Sequence, residues 1–281
     1  MPPTPKPPHP RQGRRPALRA RASAWALLLG GCAAPAPPPL PPALQLQAPV
    51  VLLGEVHDNT TQHALRLRAF QALLARGARP ALAMEQFDRN RQPAIDALLA
   101  SPSRPDADAV IAAAQGAKGW QWPQYRPFIE LALQHGLPIV AANVPSAEAR
   151  LVMRDGLAAH GFDAAVPPAV LQALAREIED SHCGAIKADT AGRMALSQVA
   201  RDQFMARVLQ AHAARGVVLL AGNGHVRTDV GAPHWLDPAT RARSEAIGVL
   251  EAGDDDTAYD RWVFTAPQPR ADPCAAMTRK P

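Results

Sequence analysis

Apolar and polar positions follow two rhythms along this chain: short solid apolar runs, and longer stretches whose apolar residues recur every three or four positions. Val50, Val51, Leu52 and Leu53 form a solid run closed by Gly54, which predicts a buried strand. Asp58, Asn59 and Thr60 can then cap a helix over residues 61–76, with Leu65, Ala69 and Leu73, then Phe70 and Leu74, on one face and Gly77 as its stop. A second strand is predicted over 81–84. A second helix follows Pro123, with Tyr125, Phe128, Ile129, Ala132 and Leu133 at helical spacing and Gly136 at its end. Residues 138–142 and 217–221 read as further strands, and 247–250 and 262–264 complete the sheet. Residues 146–216 carry no strand signal and read as three helices, the longest running from Asp189 to about Ala214.

Strands alternating with helices predict an α/β fold: a mostly parallel sheet flanked by helices on both faces. The block 146–216 is expected to be an inserted helical subdomain or lid. It divides the α/β core into 50–145 and 217–265, and leaves 266–281 as a flexible C-terminal tail.

The N-terminus adds a location. Arg11, Arg14, Arg15, Arg19 and Arg21 precede a short apolar run from Ala24 to Leu29, then Leu29-Gly30-Gly31-Cys32. The run is too short to span a bilayer, so residues 1–31 read as a lipoprotein signal peptide, with Cys32 as the lipidated first residue of the mature chain. Residues 32–49, crowded with Pro35, Pro37, Pro38, Pro39, Pro41 and Pro42, read as a semi-rigid tether. No aspartate follows Cys32, which points to the outer membrane. The charge balance changes accordingly. Six of the 30 basic residues lie in positions 1–31, which hold no acid, so the mature chain balances 24 basic against 25 acidic residues. That leaves no electrostatic case for nucleic acid. Cys183 and Cys274 remain, and an oxidising compartment permits a disulfide between them.

Ligands of open parallel sheets bind beyond the carboxyl ends of the strands. Here those ends run into Gly54-Glu55-Val56-His57, Glu85-Gln86-Phe87-Asp88-Arg89, Asn143, and Gly222-Asn223-Gly224-His225. The glycines are expected to let the backbone turn and present the histidines. Glu55, His57, Glu85 and His225 are the candidate catalytic set. His57 and His225 could hold a divalent metal with a glutamate as base, or the Glu–His pairs could work without metal, as in a peptidase or esterase. No His-Glu-x-x-His, Cys-x-x-Cys or phosphate-binding glycine loop is present.

These segments, with Trp120, Trp122 and Tyr125, Asn143-Val144-Pro145, Ser181-His182-Cys183-Gly184 and Gly222-Asn223-Gly224-His225-Val226-Arg227, together resemble the ChaN family of haem-binding lipoproteins. The resemblance runs from about residue 50 to 250, and its wider kin are the Tiki/TraB group and erythromycin esterases. It implies haem as cofactor, a role in haem or iron acquisition without catalytic turnover, and a homodimer formed around haem. Tyrosine and histidine are the family's candidate axial ligands. Of the two tyrosines, Tyr125 lies inside the resembling region and Tyr259 outside it, so Tyr125 and His182 are the expected ligands. Arg89 and Arg227 are the expected partners of the propionates. Arg201 and Asp202 are expected to point from the lid towards the cleft.

Overall fold

A computed structural model describes residues 1–5, 39–116, 119–272 and 274–275. Most of the expected signal peptide, and Cys32 with it, lies outside the described residues. The folded unit is Pro39–Pro281.

Its elements follow one another as β1 (Val50–Leu53), α1 (Thr60–Ala75), β2 (Ala81–Asp88), α2 (Gln92–Leu99), α3 (Ala107–Ala113), α4 (Trp122–Gln134), β3 (Ile139–Asn143), α5 (Ser146–Asp155), α6 (Pro168–Ser181), α7 (Ala188–His212), β4 (Val217–Leu220), α8 (Asn223–Val226), α9 (Pro238–Arg241), β5 (Ser244–Glu251) and β6 (Arg261–Thr265). The six strands form one all-parallel sheet in the order β3-β2-β4-β1-β5-β6. The expected α/β class with a parallel sheet is therefore present. Among the described residues no helix is long and apolar enough to cross a membrane.

Solid apolar strands are what a sheet covered on both faces requires, because successive side chains point to opposite sides. Val51 and Leu53 enter a core shared with Phe70 of α1 and with Phe128 and Ile129 of α4. Val50 and Leu52 enter a second core, against Met205, Ala206 and Leu209 of α7. Asn59 caps α1 as expected, its side chain accepting from the backbone N–H groups of Thr61 and Gln62. Helices α2 and α3 were not legible in the periodicity; they are eight and seven residues long.

The three helices expected in the central block are α5, α6 and α7. They enclose a third core of Val152, Leu174, Ile178, Ala195 and Val199. The block is not wholly separate, however. The 25-residue α7 packs its first half on α5 and α6 and its second half on the sheet, so it doubles as the crossover into β4.

Two expected boundaries move. Leu44 and Leu46 are fully buried, and Arg76 donates to the Leu46 carbonyl, so the folded body begins before the expected end of the tether at residue 49. The C-terminal segment is fastened rather than loose through Cys274. Gln268 donates to Glu251, Arg270 binds both Asp58 and Glu251, and Cys274 forms a disulfide with Cys183.

Candidate cleft at the carboxyl ends of the strands

At the end of β1 the backbone of Gly54 lies against β5, donating to the Ile247 carbonyl at 2.9 Å. Its glycine is needed for close approach rather than for an unusual turn. A Cβ there would meet the side-chain oxygen of Asn223, which extends the sheet by pairing with Val249. Beyond it, Glu55 is buried in a closed set of partners. Arg66 pairs with one carboxylate oxygen; the Tyr125 hydroxyl donates to the other, which also lies 2.8 Å from His57 Nδ1. The following turn is pinned from below, since Val56 N–H donates to Gln62 Oε1 at 2.7 Å and His63 Nε2 lies 2.9 Å from the His57 carbonyl. Burial holds Arg66 at about 10, still cationic at neutral pH, and pushes the His63 imidazole below its ordinary value.

The His57 side chain is 47% exposed and faces the cleft. Its Cε1 and Nε2 would lie 2.9 and 3.0 Å from a Cβ on residue 222, so the glycine there is what leaves that edge of the ring open.

The end of β4 is built differently. Gly222 donates its N–H to Glu85 at 2.7 Å. His225 Nδ1 lies 2.6 Å from Asp202 of α7, and its Nε2 lies 3.6 Å from Glu85. Burial alone would depress this imidazole, but the two carboxylates outweigh it and raise its pKa to about 9. Asp202 is raised by burial, against the opposing pull of His225, to about 6. The expected His57/His225 metal pair gains no third ligand: among the described residues no three His, Cys, Asp or Glu side chains are grouped to hold a metal ion.

Both histidines line one cleft of about 860 Å³. Leu174 and Ile178 of α6 form its lid side, Leu250 and Tyr259 its far wall, and Arg227 its rim. Helices α6 and α7 thus both contribute to the cleft, α7 through Asp202.

Other expected ligands are elsewhere. Tyr125 is fully buried beneath His57, between Trp120 and Trp122; burial raises its phenol, so it is no exposed tyrosinate. His182 ends α6 with Nδ1 2.7 Å from the Ile178 carbonyl, and does not line the cleft. Cys183 is in the disulfide. Arg89 faces away, paired with Glu148 and lying over Phe162 and Phe204. Arg201 binds Asn143 and the Val144 carbonyl, tying α7 to the end of β3. Arg227 does reach the cleft, but it already pairs with Glu177 at 2.9 Å and Asp229 at 2.7 Å.

Sequence reasoning missed Arg66 and His63, and took Tyr259 as the lesser tyrosine. A signal existed for Arg66: it stands three and four positions before Ala69 and Phe70, inside the apolar stripe of α1.

An all-parallel α/β body with a helical roof and an imidazole-lined cleft at its strand ends defines a ligand-binding protein of the open-sheet class. The chain belongs to the family described as haem-binding uptake, Tiki superfamily, ChaN, whose model matches residues 44–236. It is similar to a solved structure of ChaN of Campylobacter jejuni with cofacially bound haem, at 22% identity and a TM-score of 0.65, over 77% of this chain and 86% of that one. That likeness shows the fold. A weaker likeness, TM-score 0.41 and 13% identity, is to an open form of the erythromycin esterase EreC, over 73% of this chain and 71% of that one. No curated protein matches the chain.

Proposed function

We propose that this protein binds haem in the cleft beyond β1 and β4, with His57 facing the iron, and serves haem or iron acquisition. One observation carries the reading. His57 is backed by a buried carboxylate 2.8 Å from Nδ1, while among the described residues its Nε2 has no hydrogen-bond partner and stands open beside Gly222. Imidazoles that bind metals are characteristically oriented in this way by a carboxylate on the other nitrogen.

Several lining residues suit the group, beside the acidic Glu177, Asp254 and Asp255. Its volume falls in the range of small-molecule sites, roughly 300–1,000 Å³. Leu174, Ile178, Leu250 and Tyr259 offer apolar contact to a porphyrin face, and Arg227 offers a propionate its guanidinium in exchange for Glu177 or Asp229. Bound haem would supply an iron centre that accepts one such imidazole. Tyr259 takes the place expected for Tyr125 as the tyrosine at the cleft, its hydroxyl 3.4 Å from the Asn223 carbonyl.

The basic leader and Leu29-Gly30-Gly31-Cys32 support attachment to the outer membrane through a lipid on Cys32, and haem shared between two protomers remains part of the proposal. Titration of the protein with haemin, followed by Soret absorbance and sizing chromatography, tests it. A saturable shift that is lost in His57→Ala and kept in His182→Ala is expected. A shift unaltered in His57→Ala would reject this ligand, and no saturable shift in the parent would reject haem.

A further inference from the structure

Glu55 is an unusual place for a carboxylate. It is buried at the end of β1, where a charge is costly unless fully partnered. The structure gathers cationic and donor groups around it. Arg66, itself without solvent exposure, sits on one oxygen and also donates to the Leu53 carbonyl at 3.0 Å. The Tyr125 hydroxyl and His57 Nδ1 share the other oxygen. Arg66 of α1, Tyr125 of α4 and His57 of the turn after β1 converge on this one carboxylate, with His63 Nδ1 of α1 at 3.6 Å, and of these His57 lines the cleft.

We propose that Glu55 is a positioning residue that fixes His57 in a single tautomer, with the ring proton on Nδ1 and a bare Nε2 presented to the cleft. The chemistry is one-directional. A carboxylate paired with a guanidinium accepts hydrogen bonds only, so the nitrogen 2.8 Å from it must be the one that carries the proton. Tyr125 and Arg66 hold Glu55 from its other sides, with His63 Nδ1 3.6 Å from the oxygen that Arg66 pairs with. Trp120, packed edge-on against His57 with ring centroids 4.8 Å apart, limits rotation of the imidazole about its own axis.

A consequence for a bound iron follows, and this part rests on the haem reading. A carboxylate behind the ring makes Nε2 a stronger electron donor, which favours ferric over ferrous iron. Glu55 would thus act on the iron through His57 without touching it.

The test reads the tautomer first, in the full chain without haem. Long-range proton–nitrogen NMR of the histidine rings, with the His57 signals assigned by their absence in His57→Gln, is expected to show Nδ1 protonated and Nε2 bare. A mixture, or Nε2 protonated, overturns the proposal without any variant of Glu55. In Glu55→Gln the signal is expected to move to a tautomer mixture, while Tyr125→Phe, which keeps the carboxylate and its Arg66 pair, is expected to retain the parent tautomer. Should Glu55→Gln fail to fold, the parent and Tyr125→Phe spectra still decide the matter.

The second readout is the reduction potential of the haem-loaded protein, expected to rise in Glu55→Gln. An unchanged potential with haem still bound would overturn the electronic half of the proposal. A parent protein with the Nδ1–H tautomer and no haem binding would overturn the haem reading and leave the role of Glu55 standing.

Discussion

At the end of β1 a single buried carboxylate stands behind His57 and leaves its other nitrogen open; at the end of β4 two carboxylates, from α7 and β2, enclose His225 on both nitrogens. The short motif is the same at both ends, Gly-x-x-His. The difference lies in what each set of acids is neutralised by. Arg66 cancels Glu55, whereas Asp202 and Glu85 hold the imidazolium of His225 between them, with Arg201 acting on Asp202 from the same helix. One end is thereby free to offer a lone pair, and the other serves as an ionic strut between the roof and the sheet.

The comparison is broken most severely by removing the counter-ion that distinguishes the two ends. Arg66→Met leaves Glu55 buried without its cation, and such losses cost about 3–5 kcal/mol. Urea unfolding at pH 7 should register that drop in stability. A loss under 1 kcal/mol would mean that Glu55 takes up a proton instead and that the pairing is dispensable.

The strut predicts a pH dependence of the opposite end. The folded pKa of His225, about 9, is above the unfolded value near 6.5, so its contribution is fully present below about pH 6.5 and is lost as pH rises through about 9. Asp202, raised to about 6, adds a decline in the same direction at lower pH, the two titrating as a pair. Unfolding free energy should therefore fall by about 2 kcal/mol between pH 6.5 and pH 9, measured in urea, and His225→Gln should flatten the curve. An unchanged slope in that variant would place the titration elsewhere.

A ligand sharpens the contrast further. His57→Ala is expected to weaken haem at least about tenfold, the loss of roughly 1.4 kcal/mol. His225→Gln should change it by less than about threefold, since a protonated ring offers iron nothing. Equal losses in the two variants, read from Soret titrations, would erase the distinction between the ends.

The sheet was legible because its strands are solid apolar runs, and α1 because Asn59 caps it. The region of the site was legible too, since strand ends in an open parallel sheet converge whatever the side chains are. The roles of its residues were not. Asp202 reaches His225 from a different helix, and no local pattern announces which acid a histidine will meet. Tyr125 reads as either ligand or core at helical spacing, and only the position of Glu55 beneath His57 decides for the core. The glycines of both turns are expected from the sequence to let the backbone turn. Gly222 instead keeps the space beside the His57 ring, which a methyl group would fill.

The two arginines give the smallest effect and the finest test. Arg89 and Arg227 are alike in exposure, with 30% and 27% of the side chain accessible, and each is paired with a glutamate. Only Arg227 lines the cleft; Arg89 is held over Phe162 and Phe204 on the α5 side. Arg227→Gln should weaken haem about threefold, the scale of a partly exposed ion pair, and more so at low salt. Arg89→Gln should leave haem affinity within about twofold and cost at most about 1 kcal/mol of stability through the lost Glu148 pair and ring contacts. If Arg89→Gln weakened haem as much as Arg227→Gln, the propionates would have to reach the α5 side of the roof, and the ligand would lie across β2 rather than over His57.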